Sequence, residues 1–188
     1  MSETKNKILI IDIETTGFLK NGGSIVEIGA VELDLDTSEI TEVFNSLCRE
    51  KILNSKHRDA WIFSNSDLTV EMVRDAPEFE DVAIKFQELI NSYPLGLTSY
   101  NRIFDVTFLH DRGFTFPKLL PCPMLLSTDI CEIPSPYGGN KWPKVEEAFN
   151  HFFPDFPYIE KHRAAHDALH EAMIVFKLFK MDVFKITK

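Results

Sequence analysis

Long hydrophobic runs are absent from this sequence of 188 residues. No apolar stretch approaches the roughly 20 residues that a membrane-spanning helix requires. The first residues, Met1-Ser2-Glu3-Thr4-Lys5, also lack the basic segment followed by an apolar one that is typical of a secretory signal peptide. We therefore expect a cytoplasmic protein without a membrane partner.

Cysteine and positive charge are both scarce. The three cysteines, Cys48, Cys122 and Cys131, form neither an even set nor a C-x-x-C pair, so neither a disulfide framework nor a zinc knuckle is indicated. With 20 Lys and Arg against 29 Asp and Glu, the net charge is −9, which disfavours broad electrostatic adhesion to nucleic acid. A nucleic-acid substrate that is held locally through metal ions is not excluded.

Apolar residues are plentiful. They make up 44% of the chain and include 16 Phe, enough for the core of one globular domain, which we place at residues 1–188. Strand and helix patterns predict an α/β fold with a mixed five-stranded sheet, its first three strands antiparallel, and helices packed against it. The predicted strands are 7–11, 25–33, 40–48, 95–100 and 125–130. The predicted helices are 69–74, 79–90, 103–110, 145–152 and 163–184.

Two carboxylates end the first apolar run. Asp12 and Glu14 follow the strand predicted at 7–11, and side chains two apart on a strand project to the same side. Like charges held side by side repel each other, so this pair favours neutralisation by cations such as Mg²⁺ or Mn²⁺. An acidic strand end that faces solvent is the alternative. Carboxylates elsewhere in the chain must decide between the two.

Further titratable residues lie at two later element ends. Asp105 comes just past the fourth predicted strand, where an aspartate that caps a helix is the alternative. His162 and Asp167 enter the last helix five residues apart, which is about 140° around an ideal helix. For both to face one site, His162 must lie on the loop before the helix. A solvated histidine in a polar stretch is the alternative there.

Three motifs, taken in order, resemble those of the DEDDh-type 3′-to-5′ exonucleases of the ribonuclease H-like superfamily, which include proofreading subunits such as polymerase III epsilon. The motifs are Asp12-Ile13-Glu14-Thr15-Thr16-Gly17, Tyr100-Asn101-Arg102-Ile103-Phe104-Asp105 and His162-x₄-Asp167-Ala168. Arg163 stands where the tyrosine subtype has Tyr, so the histidine subtype is the better match. The resemblance spans nearly the whole chain and implies a ribonuclease H-like fold and 3′-to-5′ exonuclease activity.

The resemblance also implies roles for the site residues. Asp12, Glu14, Asp105 and Asp167 would be catalytic residues that bind two divalent cations, Mg²⁺ or in its place Mn²⁺. Two such ions about 3.5–4 Å apart clamp a scissile phosphate. Asp12 would bridge both ions, and Glu14 would hold the one that activates water. His162 would be the general base, a role suited to a side chain with an ordinary pKa of about 6.5.

The implied substrate contacts lie in the turn after the first strand. Thr15, Thr16 and Gly17 would meet the 3′-terminal nucleotide, and Phe18 would pack against a base. Asn101 would contact the strand from the second motif. For the basic residues in flanking segments, substrate contact and plain surface charge are equal alternatives. These residues are Lys141, Lys144, Lys161 and Arg163.

Three residues of the last helix are left outside the predicted site. His166 and His170 share a face one turn apart, but without a third ligand we interpret them as partly exposed helix residues. Glu171, one turn after Asp167, is a candidate only for a supporting role behind the ligands.

The predicted reaction is hydrolysis of single-stranded DNA from its 3′ end, with release of nucleoside 5′-monophosphates in DNA repair or proofreading. An RNA-trimming exonuclease of the same superfamily is one alternative. A noncatalytic nucleic-acid-binding or polymerase-associated module and a phosphodiesterase for small nucleotides are the others. The chain ends soon after its last predicted helix, at Lys188, which favours standalone action over association with a polymerase.

Overall fold

A four-stranded sheet forms the centre of the fold, for which a computed structural model describes residues 6–52 and 54–186. The strands are β1 Lys7–Thr15, β2 Ile25–Asp34, β3 Ile40–Leu47 and β4 Leu97–Thr98. They lie in the order β3-β2-β1-β4, with β2 antiparallel to both β1 and β3 and with β4 parallel to β1. The antiparallel meander predicted for the first three strands is confirmed. The segment 1–5, compared above with a signal peptide, lies outside the described residues.

The prediction of a fifth strand at 125–130 is wrong. Those residues lie in a helix, α5, that runs from Pro123 to Cys131. Pro123 is at the start of the helix, where its fixed φ is compatible with a helix and its missing N–H leaves no hydrogen bond unmade. Periodicity alone cannot separate such a short apolar run from a buried strand. A parallel bridge from Leu97 to Leu119 takes the place of the fifth strand beside β4.

Helices cover both faces of the sheet. Besides α5 they are α1 Trp61–Asn65, α2 Val70–Arg74, α3 Phe79–Asn91, α4 Arg102–Asp111, α6 Val145–Phe152 and α7 Ala164–Lys180. Thr69 caps α2 as predicted, since its side chain accepts a hydrogen bond from Met72 N at 3.1 Å. No helix in the described part of the chain is both long and apolar enough to cross a membrane.

The last helix is shorter than predicted and ends at Lys180. Asp182 adopts a left-handed φ of 61°, which turns the chain out of the helix. The backbone N–H groups of Val183 and Phe184 then donate to Leu178 O, so a terminal carbonyl keeps its partners. Phe184 folds back and is buried among the core residues beside α7.

Successive side chains of β1 point to opposite faces of the sheet and pack into two different hydrophobic cores. Leu9, Ile11 and Ile13 pack with α3 on one face of the sheet, whereas Ile8 and Ile10 pack with α6 and α7 on the other. Because successive strand residues point to opposite faces, Asp12 and Glu14 continue the row of Ile8 and Ile10. Both carboxylates therefore lie on the face that α7 covers.

Gly29 of β2 allows the start of α7 to approach this face closely. It is the register partner of Asp12 in the β1–β2 ladder. A Cβ atom at Gly29 would lie 2.1 Å from Ala165 N and 2.3 Å from Ala164 C. Any side chain there would push α7 away from the sheet, and Asp167 with it.

Candidate active site

Asp12 and Glu14 lie within β1 rather than after it, because the strand continues to Thr15. The predicted strand end at residue 11 is therefore wrong, but both side chains do face one cavity of about 180 Å³. The polar residues that line this cavity are Asp12, Glu14, Asn101, Asp105, Glu160, His162 and Glu171.

Asp105 reaches the cavity from the first turn of α4. The parallel strands β1 and β4 end at the same edge of the sheet, and α4 begins just beyond that edge. Asp105 is buried and accepts a hydrogen bond of 2.7 Å from Ser99 Oγ. Burial raises its pKa to about 7, although the hydrogen bond from Ser99 opposes the shift. Asp105 therefore lines the cavity and is not a solvent-exposed helix cap.

Asp167 closes the site from the first turn of α7. One oxygen each of Glu14 and Asp167 and a ring nitrogen of His162 all lie within 4.8 Å of one another. Asp167 accepts hydrogen bonds from Tyr158 Oη at 2.5 Å and from Arg163 N at 2.9 Å. Two elements distant in sequence thus place their acids beside one histidine.

His162 lies on the loop before α7, as the angular argument predicted. Its backbone adopts a left-handed φ of 55°, a conformation that non-glycine residues rarely adopt. The ring packs against Trp61 of α1 at a centroid distance of 4.6 Å. Burial lowers the pKa of His162 below its ordinary value, which favours the neutral ring that can accept a proton.

Glu171 and Glu160 also line the cavity; the sequence prediction left Glu171 outside the site as a supporting candidate and did not consider Glu160. Glu171 is buried, lines the cavity and accepts a hydrogen bond of 3.0 Å from Tyr100 N. Its position one helical turn after Asp167 was the available signal. Glu160 lies in an irregular segment, where no periodicity marks a side chain as inward-facing. Burial raises its pKa to about 7, and Asp167 adds to the shift.

His166 and His170 remain outside the cavity lining, although His166 is not merely a surface residue. Its Nδ1 atom lies 3.0 Å from Asp167 Oδ1, and its side chain is 34% exposed. The ring of His170 stacks on Tyr158 at 3.9 Å. These histidines and Tyr158 therefore support Asp167 from behind.

The electrostatics of the cluster suit divalent cations. Burial, and then the charge of Glu171, raise the pKa of Asp12 well above its usual range. Burial and then the charge of Asp167 raise the pKa of Glu14 to about 9. Carboxylate oxygens are the donors that Mg²⁺ and Mn²⁺ prefer. Such ions would neutralise the carboxylate charges, which repel one another in this cavity.

An apolar cleft of about 480 Å³ adjoins the carboxylates. The predicted substrate residues Thr15, Thr16, Gly17 and Phe18 line it. Trp61, Ile62 and Phe104 line it as well. Gly17 has a φ of 146°, and Thr16 N donates to Ser24 O at 2.9 Å, so the turn is held against β2. The fifth predicted substrate residue, Asn101, lines the carboxylate cavity instead.

Two of the flanking basic residues are engaged in ion pairs. Arg163 pairs with Glu27 at 2.8 Å, and Lys141 pairs with Glu147 at 2.6 Å. Arg163 therefore has a structural partner, which the sequence pattern did not reveal.

Comparison with known proteins assigns the class. The profile of the exonuclease family, RNase_T, matches residues 9–179, a span that holds every predicted site residue. The chain therefore belongs to the exonuclease family. Within it the chain is of the DEDDh 3′-to-5′ type, in the ribonuclease H-like superfamily. This type of exonuclease uses divalent metal ions, in agreement with the donor set described above.

Individual relatives agree with the assignment. The chain is 31% identical over 120 residues to the PolC-type DNA polymerase III of Clostridium perfringens (strain 13 / Type A), covering 64% of this chain and 8% of that protein. It is 26% identical over 180 residues to the DNA polymerase III epsilon subunit of Buchnera aphidicola subsp. Baizongia pistaciae (strain Bp), covering 91% of this chain and 68% of that subunit. The chain thus spans only a small part of the PolC-type polymerases.

The nuclease domain of 3′hExo, a DEDDh family member solved with bound rAMP, shares the fold. The TM-score is 0.68 with 18% sequence identity, covering 97% of this chain and 96% of that one. The likeness confirms the predicted ribonuclease H-like α/β fold, with four strands in place of five.

Proposed function

We propose that this protein is a metal-dependent exonuclease that releases nucleoside 5′-monophosphates from the 3′ end of single-stranded DNA. One observation carries the proposal: Asp12, Glu14, Asp105 and His162 line a single cavity, and Asp167 lies beside Glu14 and His162. β1, α4, α7 and the loop before α7 supply these residues, so their convergence is a property of the fold and not of one local motif.

The four aspartate and glutamate residues would hold two divalent cations. When bound, such ions supply Lewis-acid charge that neutralises a scissile phosphate and favours ionisation of the attacking water. His162 accepts the proton of that water on its ring nitrogen. Because burial keeps the imidazole neutral and Trp61 restricts its motion, the base is ready before substrate binds. Asp167 stays in place because Tyr158 and Arg163 donate hydrogen bonds to it.

The terminal nucleotide is placed in the apolar cleft. Gly17, with its positive φ, lets the nucleotide approach the backbone of the turn closely, and Phe18, 61% exposed, offers a ring for base stacking. Phe104 supports that ring with an edge-to-face contact at 6.2 Å. A strand that enters with its 3′ end in this cleft has its last phosphate at the carboxylates.

A labelled-strand assay tests the proposal. Magnesium and a 5′-labelled oligodeoxynucleotide should yield a ladder of shortening products and free nucleoside 5′-monophosphates. We expect Asp12→Ala to abolish the ladder, and His162→Ala to lower the rate by roughly 10²–10⁴-fold while still binding metal. Equal turnover by His162→Ala would contradict the role of the histidine. Absence of any ladder from the wild-type protein would contradict the function itself.

RNA is the second candidate substrate. The relatives that are DNA polymerase III proteins support DNA as the substrate. The 3′hExo nuclease domain, which was solved with bound rAMP, supports RNA. Discrimination depends on what meets the terminal 2′-hydroxyl. Parallel hydrolysis of end-labelled DNA and RNA of one sequence decides between them. The single-domain organisation, the cytoplasmic location and the choice between standalone action and polymerase association stay predictions.

A further inference from the structure

Two large aromatic side chains are exposed in the loop between α5 and α6. Tyr137 is 97% exposed and Trp142 is 65% exposed. Neither contributes to the core, and the mechanism proposed above uses neither. Because Tyr and Trp are enriched at interfaces, an exposed Trp and Tyr close together in sequence make this loop a candidate binding surface. We call residues 134–142 the aromatic hairpin.

The aromatic hairpin is ordered by its own hydrogen bonds. Pro134 and Asn140 form an antiparallel bridge, and Ser135 N donates to Gly139 O at 2.9 Å. Gly138 and Gly139 have positive φ values, 91° and 69°, which allow the tight turn at the tip. Tyr137 is therefore displayed on a preformed support, and binding through it costs little ordering entropy.

The segment that follows the aromatic hairpin contacts the catalytic cavity. Tyr100 lines that cavity, and its hydroxyl donates to Pro143 O at 3.0 Å. Val145 lines the cavity too. Trp142 is three residues before Val145, so their Cα atoms lie at most about 11 Å apart. A strand that leaves the carboxylates on this side passes Trp142.

Two lysines lie in or beside the aromatic hairpin. Residues 133–145 contain Lys141 and Lys144 and no acidic residue, in a chain whose net charge is −9, although Lys141 pairs with Glu147 at 2.6 Å, so Lys144 is the cation that the argument uses. Aromatic rings beside lysines are the combination that single strands use, since bases stack on the rings and phosphates meet the cations. Five carboxylates line the cavity and would repel phosphates that metal ions do not neutralise.

We propose that the aromatic hairpin binds the substrate strand on the 5′ side of the scissile bond, with bases stacked on Trp142 and Tyr137. The proposal rests on the proposed function and adds a second grip, distinct from the cleft that receives the terminal nucleotide. It makes the enzyme prefer strands of several nucleotides over dinucleotides.

Substrate length separates the two grips. Trp142→Ala and Tyr137→Ala are compared with the wild type on a thymidine dinucleotide and on an oligothymidylate of about 12 nucleotides. We expect KM for the longer strand to rise about 5- to 150-fold for each base that loses its stacking partner, with kcat unchanged. The dinucleotide has only one base on the 5′ side of its scissile bond, so its kcat/KM should change much less than that of the longer strand.

Phe156→Ala is the matched control. Phe156 is 73% exposed and lies beyond Phe152, at the opposite end of α6 from the hairpin. It should hydrolyse both substrates like the wild type. Unchanged KM of both hairpin variants on the longer strand overturns the proposal and leaves this surface to a protein partner. An equal loss on the dinucleotide overturns it too, because the hairpin would then act only through the catalytic cavity.

A binding measurement keeps the test independent of catalysis. Fluorescence anisotropy of the labelled oligothymidylate in the presence of Ca²⁺ should show the same weakening in the Trp142→Ala and Tyr137→Ala variants. If the wild type binds the strand but hydrolyses neither substrate, the proposed function fails while the hairpin proposal is still measured. If the strand binds all three proteins equally, the hairpin proposal fails.

Discussion

Arg163 and Glu27 form a bidentate ion pair that fastens the loop of His162 to the second strand. The guanidinium contacts Glu27 Oε1 from Nη2 at 2.8 Å and Glu27 Oε2 from Nε at 3.2 Å. Glu27 also accepts a hydrogen bond from Ala164 N at 2.9 Å. The residue after the proposed base and the first residue of α7 are thus held by one buried carboxylate.

Replacing Arg163 should reduce the free energy of unfolding more than replacing Glu27. The Glu27 side chain is 1% exposed and the Arg163 side chain 29%. Arg163→Met leaves a buried charge without its partner, which costs about 3–5 kcal/mol. Glu27→Gln costs less, because Arg163 keeps solvent and a second contact to Asp67 at 2.9 Å. Urea denaturation measures both losses, and equal losses would contradict the asymmetry.

Charge repulsion in the carboxylate cavity predicts that Asp12→Asn stabilises the protein when metal is chelated. The amide keeps the shape of the side chain and removes one of several like charges that burial has brought together. The melting temperature in EDTA should rise by at least about 2 °C, the shift that ~1 kcal/mol gives at this size. Differential scanning calorimetry measures it, and a lower melting temperature would contradict the repulsion.

Magnesium should reverse the order of the two proteins. The wild type gains about 2.7 kcal/mol at a cation concentration 100 times the dissociation constant, whereas Asp12→Asn gains little because a proposed ligand is gone. Glu171→Gln is the matched control, since its amide oxygen still accepts from Tyr100 N. It should melt higher in EDTA and keep the gain from Mg²⁺ and the nuclease activity. Loss of that gain would make Glu171 a metal ligand.

Trp61 should matter for the rate although it carries no reactive group. Its ring contacts His162 and lines the apolar cleft. Trp61→Ala should lower kcat by about tenfold or more, yet less than the roughly 10²–10⁴-fold expected for removing the base. Trp61→Phe keeps a ring in contact with His162 and should retain most activity. Single-turnover kinetics measures the step, and an unchanged rate for Trp61→Ala would show that the contact is incidental.

Ser127 of α5 is a site where the protein can be stabilised. Its side chain is fully buried. Within residues 6–52 and 54–186, its Oγ is the one buried side-chain polar atom that has no hydrogen-bond partner. Ser127→Ala removes an unsatisfied group and raises helix propensity, so unfolding should cost about 1 kcal/mol more. Thr98→Val is the control, because Thr98 Oγ1 donates to Pro121 O at 2.8 Å. That variant should lose stability in the same thermal scan.

The elements with strong periodicity were predictable, and the ambiguous ones were not. The first three strands and α3, α4 and α6 lie within a few residues of their predicted positions. The run at 125–130 fits a strand or a helix equally well, and contacts with α6 and α7 made it a helix. The early end of α7 depends on the left-handed conformation of Asp182. The sequence did not predict this end, because a polar residue within a helical pattern does not indicate that the backbone leaves the helix.

The sequence alone was enough to select the five candidate residues and their order, because motif spacing is a one-dimensional property. These residues are Asp12, Glu14, Asp105, His162 and Asp167. Their union in one site was decided by the tertiary structure. Alternation along β1 turns two acids toward α7, and Gly29 lets that helix approach closely enough for Asp167 to meet them. Glu160 and Trp61 joined the site for the same reason, since packing brings together residues that no sequence pattern relates, whereas the place of Glu171 one turn after Asp167 was a sequence signal.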